Sequence, residues 1–294
     1  MVNIAIIGPG KIARDQHVPA MARHGGFALV ATAGGPDGIA GTPHLADLPA
    51  LLAAGLAIDA VAICTPPGPR AALAQAAWAA GYDVLLEKPP AADMAAAALL
   101  VPPPGRIGYA AWHSRHAAGV ATARAMLTAR GAARFAIHWI EDVERWHPGQ
   151  DWIWRADGFG VVDPGINALS ILTAIWPGDW RVRHADLLIS AGRAAPERVD
   201  AALTCGGIAA DVHFNWDSPD DRWDIDVDLA DGGHLALRDG GARLWLDGAE
   251  LRLAPASEYD GVYADFARLL AERQSDIDTQ PLALGTAMLA GGTL

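Results

Sequence analysis

The apolar run Val2-Asn3-Ile4-Ala5-Ile6-Ile7 leads straight into Gly8-Pro9-Gly10-Lys11-Ile12-Ala13, and an Ala-rich helical stretch follows. This segment constrains the fold more than any other, because a buried strand that turns on glycines into a helix is the opening of a β-α-β crossover. The unit then repeats. Phe27–Ala33, Ala60–Cys64, Val84–Glu87 and Arg106–Ala111 read as further strands, with helices expected over Ile12–His24, Arg70–Gly81 and Ala91–Val101. Such alternation predicts an α/β Rossmann domain, a doubly wound parallel sheet with helices on both faces, over residues 1–112.

Beyond residue 115 the pattern changes. A helix over Ala117–Ala129, a strand over Ala133–Ile140, a Trp-rich loop and a helix over Asp163–Ile175 precede a series of strands separated by Gly and Asp turns. Trp223-Asp224-Ile225-Asp226-Val227-Asp228-Leu229 alternates strictly, as a strand with one wet face does. Residues 113–294 are therefore expected to form an α+β domain with a largely antiparallel open sheet. Tyr259–Arg273 has helical spacing, and the tail from Pro281 is expected to form a helix that packs back on the first domain.

Composition narrows the function classes. With 52% hydrophobic residues and a net charge of −12, the chain is globular and lacks the basic surface that a nucleic acid requires. Its start reads as a strand and not as a secretory leader, and its apolar runs fall short of the ~20 residues that span a bilayer. Cys64 and Cys205 are too few and too far apart for a disulfide scaffold or a zinc cluster, so a cytoplasmic location and no metal are expected. Of the 22 basic residues, only Lys11 and Lys88 are lysines. In an arginine-rich chain, a retained lysine suggests a need for a compact amine.

Between strand and helix, Gly-x-Gly-x-x-Ala allows a tight turn and lets a pyrophosphate approach backbone N–H groups at the positive end of a helix. Gly8, Gly10, Lys11 and Ile12 are therefore candidate dinucleotide contacts. The second strand normally ends in an acid that binds the ribose hydroxyls of NAD, or in an arginine for the extra phosphate of NADP. Here Gly34-Gly35-Pro36-Asp37 follows it with neither group in the obvious place, so NAD or NADP is expected, with dual use. Thr65 and Pro66, in the Cys64-Thr65-Pro66-Pro67 turn, and Glu87 and Lys88, in Glu87-Lys88-Pro89-Pro90, end two other strands at the same edge of the sheet. A lysine beside a nicotinamide can exchange a proton with a substrate hydroxyl, whereas a surface Glu–Lys pair is the plainer reading.

The early Gly-x-Gly-x-x-Ala, Glu-Lys-Pro at this spacing and an α+β half resemble the glucose–fructose oxidoreductase/inositol dehydrogenase (Gfo/Idh/MocA) family over nearly the whole chain. The family's second-domain helix motif, Gly-x-x-x-Asp-x-Gly-x-His, corresponds to Gly160-Val161-Val162-Asp163-Pro164-Gly165-Ile166-Asn167, with Asn in place of His. Asp163 and Asn167 are one helical turn apart and share a face. Asp163 also reads as an N-cap with Pro164 behind it. Trp112-His113-Ser114-Arg115, the stretch Glu141-Asp142-Val143-Glu144-Arg145-Trp146-His147-Pro148-Gly149-Gln150, and Asp-Pro-Gly-Ile-Asn-Ala-Leu-Ser resemble that family's bacterial L-arabinose/D-galactose 1-dehydrogenase branch.

The resemblance implies an NAD(P)-dependent oxidoreductase that converts an aldopyranose to its lactone at the anomeric carbon, working as a homodimer. Lys88 and Asp163 would manage the hydroxyl proton. Glu141, His147, Asn167, Trp152 and His113 would bind the sugar, with the loop's Trp rings offering apolar faces. A non-catalytic nucleotide-binding sugar sensor of the same fold, or an oxidoreductase acting on an inositol or keto sugar, remains open from these residues alone.

Overall fold

All five expected strands of the first half form, the last shortened to begin at Gly108, because each is a short continuous apolar run that can be buried on both faces. In a computed structural model describing residues 1–146, 148–149, 151–155 and 158–291, with Trp152 described by its backbone alone, they form a six-stranded parallel sheet together with a two-residue edge strand, His44–Leu45, that the sequence pattern does not predict. Its elements are β1 (Val2–Ile7), α1 (Val18–His24), β2 (Phe27–Ala33), β3 (His44–Leu45), α2 (Leu48–Ala53), β4 (Ala60–Ile63), α3 (Arg70–Ala79), β5 (Asp83–Glu87), α4 (Met94–Ala97) and β6 (Gly108–Ala111). The strand order is β3-β2-β1-β4-β5-β6, which puts the switch of winding direction beside β1.

Two expected helices differ. The one over 12–24 opens as a π turn, Ala13–His17, before α1 begins, and Pro19 has no N–H to give to the preceding turn. The one over 91–101 shortens to α4. It starts only where Asp93 caps the Ala96 N–H at 2.7 Å, and the chain must extend ahead of Pro102.

The chain clusters into two compact units: residues 1–113 with 257–279, and 114–256 with 280–294. The first unit is thus completed by a late segment, α8 (Glu258–Glu272). Its buried Tyr259, Val262, Tyr263, Phe266 and Leu269 recur at helical spacing and join the core built on Ile4, Ile6, Phe27 and Tyr109. Phe266 stacks on Phe27 at 5.9 Å, and Tyr263 meets Phe27 edge-on at 5.0 Å.

In the second unit, α5 (Val120–Arg130), α7 (Val162–Ile175) and α9 (Gln280–Leu289) accompany an eight-stranded sheet, with a short α6 (Val143–Trp146) after its first strand. The sheet comprises β7 (Ala132–Asp142), β8 (Arg181–Leu188), β9 (Arg198–Cys205), β10 (Ile208–Asn215), β11 (Asp217–Leu229), β12 (His234–Arg238), β13 (Arg243–Leu246) and β14 (Ala249–Glu250). Neighbours pair antiparallel except β7 and β10, which run parallel at the centre. The expected tail helix is α9, but it packs on α7 and β8 within this unit, so α8 and not the tail returns to the first domain. Burial alternates along β7, β9 and β10, leaving one face of the sheet partly exposed. α7 lies so close to β10 on the other face that a Cβ on Gly165 would come within 2.4 Å of the Phe214 ring.

Candidate functional site

In the first unit, β1 ends in a glycine turn held from two sides. The Gly8 N–H donates to Ala33 O at 2.8 Å, and Gly10 N–H returns to Gly8 O at 2.8 Å. Gly8 is left-handed at φ 80°, and a Cβ there would sit 2.8 Å from the Thr65 side chain and 2.9 Å from its backbone N, so only glycine fits. A Cβ on Gly10 would meet nothing within 4 Å, which leaves the open side of the turn free for a ligand. The resulting cleft of about 360 Å³ is lined by Gly8, Gly10 and Lys11, by Gly34, Gly35 and Asp37, and by Thr65 and Pro66. These residues fit a dinucleotide: a bare glycine turn opens toward the space that a pyrophosphate needs. Lys11 stands out into solvent, ion-paired with Asp15 one turn later. Ile12 is 38% exposed but is not among the residues lining this cleft.

Glu87 departs from expectation. Its carboxylate is 3% exposed and faces the core, so neither the surface Glu–Lys pair nor a direct cofactor contact by this side chain holds. One oxygen receives the Tyr259 hydroxyl at 2.6 Å and lies 2.9 Å from His17 Nε2, while the other accepts the Lys88 N–H at 2.9 Å. His17 Nδ1 is in turn 2.9 Å from the Tyr263 hydroxyl. Burial alone would raise the Glu87 pKa, yet the His17 hydrogen bond and charge, then His113 and Arg70, bring it down to about 2. Burial would likewise lower the His17 pKa, but Cys64, Tyr263 and Glu87 raise it well above its ordinary 6.5. A charged pair therefore lies beneath the backbone of Lys88.

Arg70 fixes the same strand ends from the other direction. Its guanidinium is buried and donates to Thr65 O at 2.8 Å, to Glu87 O at 2.5 Å and to Pro89 O. Lys88 is half-buried at this junction. His113 is placed by Glu258, which pairs with its Nδ1, and by the Tyr259 ring stacked 5.3 Å away.

In the second unit, α7 carries Asp163 and Asn167. From Val162 to Thr173 every other residue of the helix is buried, and these two alone are partly exposed, one turn apart on one face. Asp163 is not the N-cap. Val161 holds that position without a side-chain cap, and Asp163 lies inside the first turn, where a carboxylate complements the helix dipole. Glu141, at the end of β7, is 5% exposed, and its two oxygens accept the indole N–H groups of Trp216 at 2.9 Å and Trp223 at 3.1 Å. Of the loop's rings, Trp154 packs edge-on against Trp216 at 5.1 Å, with Arg193 3.5 Å above its centre, so it is less open to a sugar than expected. Trp146 is 44% exposed and donates to Asp221. His147 and the side chain of Trp152 lie outside the described residues.

His17, Arg70, Tyr259 and Tyr263 escape a reading of the sequence because their partners are remote in the chain. The one local signal is Arg70 itself, the single charged residue of its helix. Among the described residues, no group of three or more His, Cys, Asp or Glu could hold a metal ion.

Residues 2–102 match the oxidoreductase family with the NAD-binding Rossmann fold. Over 286 residues the chain is 39% identical to galactose 1-dehydrogenase of Pseudomonas fluorescens, covering 96% of this chain and 93% of that one. The crystal structure of D-galactose-1-dehydrogenase from Rhizobium etli superimposes with a TM-score of 0.93 at 39% identity, over 99% of this chain and 95% of that one. A 3-ketoreductase from Actinomadura kijaniata, crystallised with NADP, shares the fold at 19% identity, with a TM-score of 0.84 over 99% of this chain and 97% of that one. With this coverage and the cleft that β1 opens, the chain belongs to the oxidoreductase family with the NAD-binding Rossmann fold.

Proposed function

We propose that the chain oxidises an aldopyranose, D-galactose or L-arabinose, at its anomeric carbon to the aldonolactone, with NAD or NADP as oxidant. The observation that carries this reading is the near full-length likeness to galactose 1-dehydrogenase, and Lys88, Asp163 and Asn167 are the residues to which we give its chemistry. Galactose and arabinose share their ring configuration and differ by one hydroxymethyl group, so a pocket that tolerates that group accepts both.

The reaction removes a hydride from C1 and a proton from its hydroxyl, leaving a C=O bond. The bound dinucleotide supplies the hydride acceptor. Lys88 and Asp163 are the groups to which we assign the hydroxyl proton. Glu141, held by two indoles, and Asn167 orient the ring hydroxyls, together with His113, His147 and Trp152. Mixing the protein with NAD or NADP and a panel of aldoses, and following absorbance of the reduced cofactor, tests the reading. Turnover of D-galactose and L-arabinose is expected. Cofactor binding without turnover of any sugar would turn the assignment toward a sensor, and a preference for inositols or keto sugars would overturn the substrate class.

The chain is further proposed to act as a cytoplasmic homodimer. Both cysteines are free, which suits a reducing compartment. The partly exposed sheet face mixes Arg134, His138 and His213 with Asp200, Asp211 and Asp226, charges that a two-fold axis could set against one another. Light scattering that gives a monomer mass would remove the dimer.

A further inference from the structure

In a dinucleotide fold, the residues just past the second strand meet the 2′ position of the adenosine ribose. Here β2 ends at Ala33, and Gly34, Gly35 and Pro36 follow, with no carboxylate before Asp37. A Cβ on Gly35 would meet no atom within 4 Å, so the loop leaves space for a group bulkier than a hydroxyl.

A cation reaches this loop from an unexpected direction. Arg14 belongs to the π turn after the glycine loop, yet it lines the cleft together with Gly34, Gly35, Pro36 and Asp37. Its Nη2 donates to Asp37 O at 2.9 Å and to Gly38 O at 2.7 Å. Those bonds fix the guanidinium against the loop and leave the donors of Nε and Nη1. Among the described residues no carboxylate pairs with Arg14, whereas Lys11 in the same cleft is paired with Asp15. A planar, fixed guanidinium with unspent donors suits a phosphate monoester better than a neutral hydroxyl.

We propose that Arg14 receives the 2′-phosphate of NADP over the bare Gly34-Gly35 loop, so that NADP binds more tightly than NAD. This rests on the dinucleotide reading of the cleft. It differs from the usual arrangement in that the clamp comes from the turn after β1 and not from the loop after β2.

The test is a binding titration of the whole chain without sugar, following protein fluorescence as NADPH, NADH, 2′,5′-ADP or 5′-AMP is added. Wild type is expected to favour NADPH over NADH and 2′,5′-ADP over 5′-AMP. Arg14→Leu is expected to weaken both 2′-phosphorylated ligands roughly 10- to 100-fold, with NADH and 5′-AMP nearly unchanged, and Arg14→Lys to fall between. An unchanged NADPH-to-NADH ratio in Arg14→Leu would overturn the proposal. Equal weakening of both dinucleotides would overturn it as well, since Arg14 would then only brace the loop. Tight NADH binding with the ratio unaltered leaves the cofactor reading standing, whereas no binding of either dinucleotide by wild type ends both.

Discussion

The end of β5 and the start of α7 each present candidate catalytic groups, and they do so by opposite means. At β5, burial is polar. His17, Glu87, Tyr259, Tyr263 and Arg70 are all withdrawn from solvent and spend their hydrogen bonds on one another and on the backbone around Lys88. At α7, burial is apolar, and the helix is sunk on all sides except the face of Asp163 and Asn167. The first arrangement fixes a backbone. The second fixes a helix and leaves two side chains accessible, so damage to the first should propagate into folding and damage to the second should stay local.

The sharpest way to break this contrast is Glu87→Gln. It leaves the raised His17 without its counter-charge in a buried setting, a loss of about 3–5 kcal/mol in unfolding free energy by urea titration. A loss below about 1 kcal/mol would mean that the pair is not structurally important. Lys88→Ala should leave stability and dinucleotide affinity intact and lower kcat at least ~100-fold. Turnover near wild type would remove Lys88 from proton transfer. Asn167→Ala is expected to raise the sugar KM by roughly 10-fold, the scale of one lost hydrogen bond in a dry site, with little change in kcat. An unchanged KM would place Asn167 outside the binding site.

The smallest effect concerns pH. Glu87, with a lowered pKa, contributes its stability fully above the ordinary 4.5 and loses it as pH falls toward about 2. His17, with a raised pKa, contributes fully below 6.5 and loses that contribution as pH climbs through its raised value. The melting temperature should therefore decline on both flanks, with a shallower acid limb in Glu87→Gln. An identical acid limb in the variant would show that the decline arises from other carboxylates.

The same contrast explains what could be read from the chain alone. Val2–Ile7 and Phe27–Ala33 emerge with the bounds that the spacing predicts, because strands buried on both faces write themselves as continuous apolar runs. The shared face of Asp163 and Asn167 on α7 is legible because one helical turn separates them. The Glu87 network is not, since His17 and Tyr263 are 246 residues apart and no local pattern joins them. The role proposed for Arg14 is hidden for a related reason: the phosphate clamp of such a fold is expected downstream of β2, and this cation lies upstream of it. The parallel pairing of β7 with β10 is invisible in alternation, which gives the faces of a strand but not its neighbours.

The two-part construction of the first unit has a consequence for synthesis. Tyr259, Val262, Tyr263, Phe266 and Leu269 close the core over Phe27 and Tyr109, so that core stays open until α8 has left the ribosome. A nascent chain stalled soon after β6 would display greasy surface awaiting α8, and a fragment cut there would need a chaperone or a separately supplied α8 peptide to stay in solution.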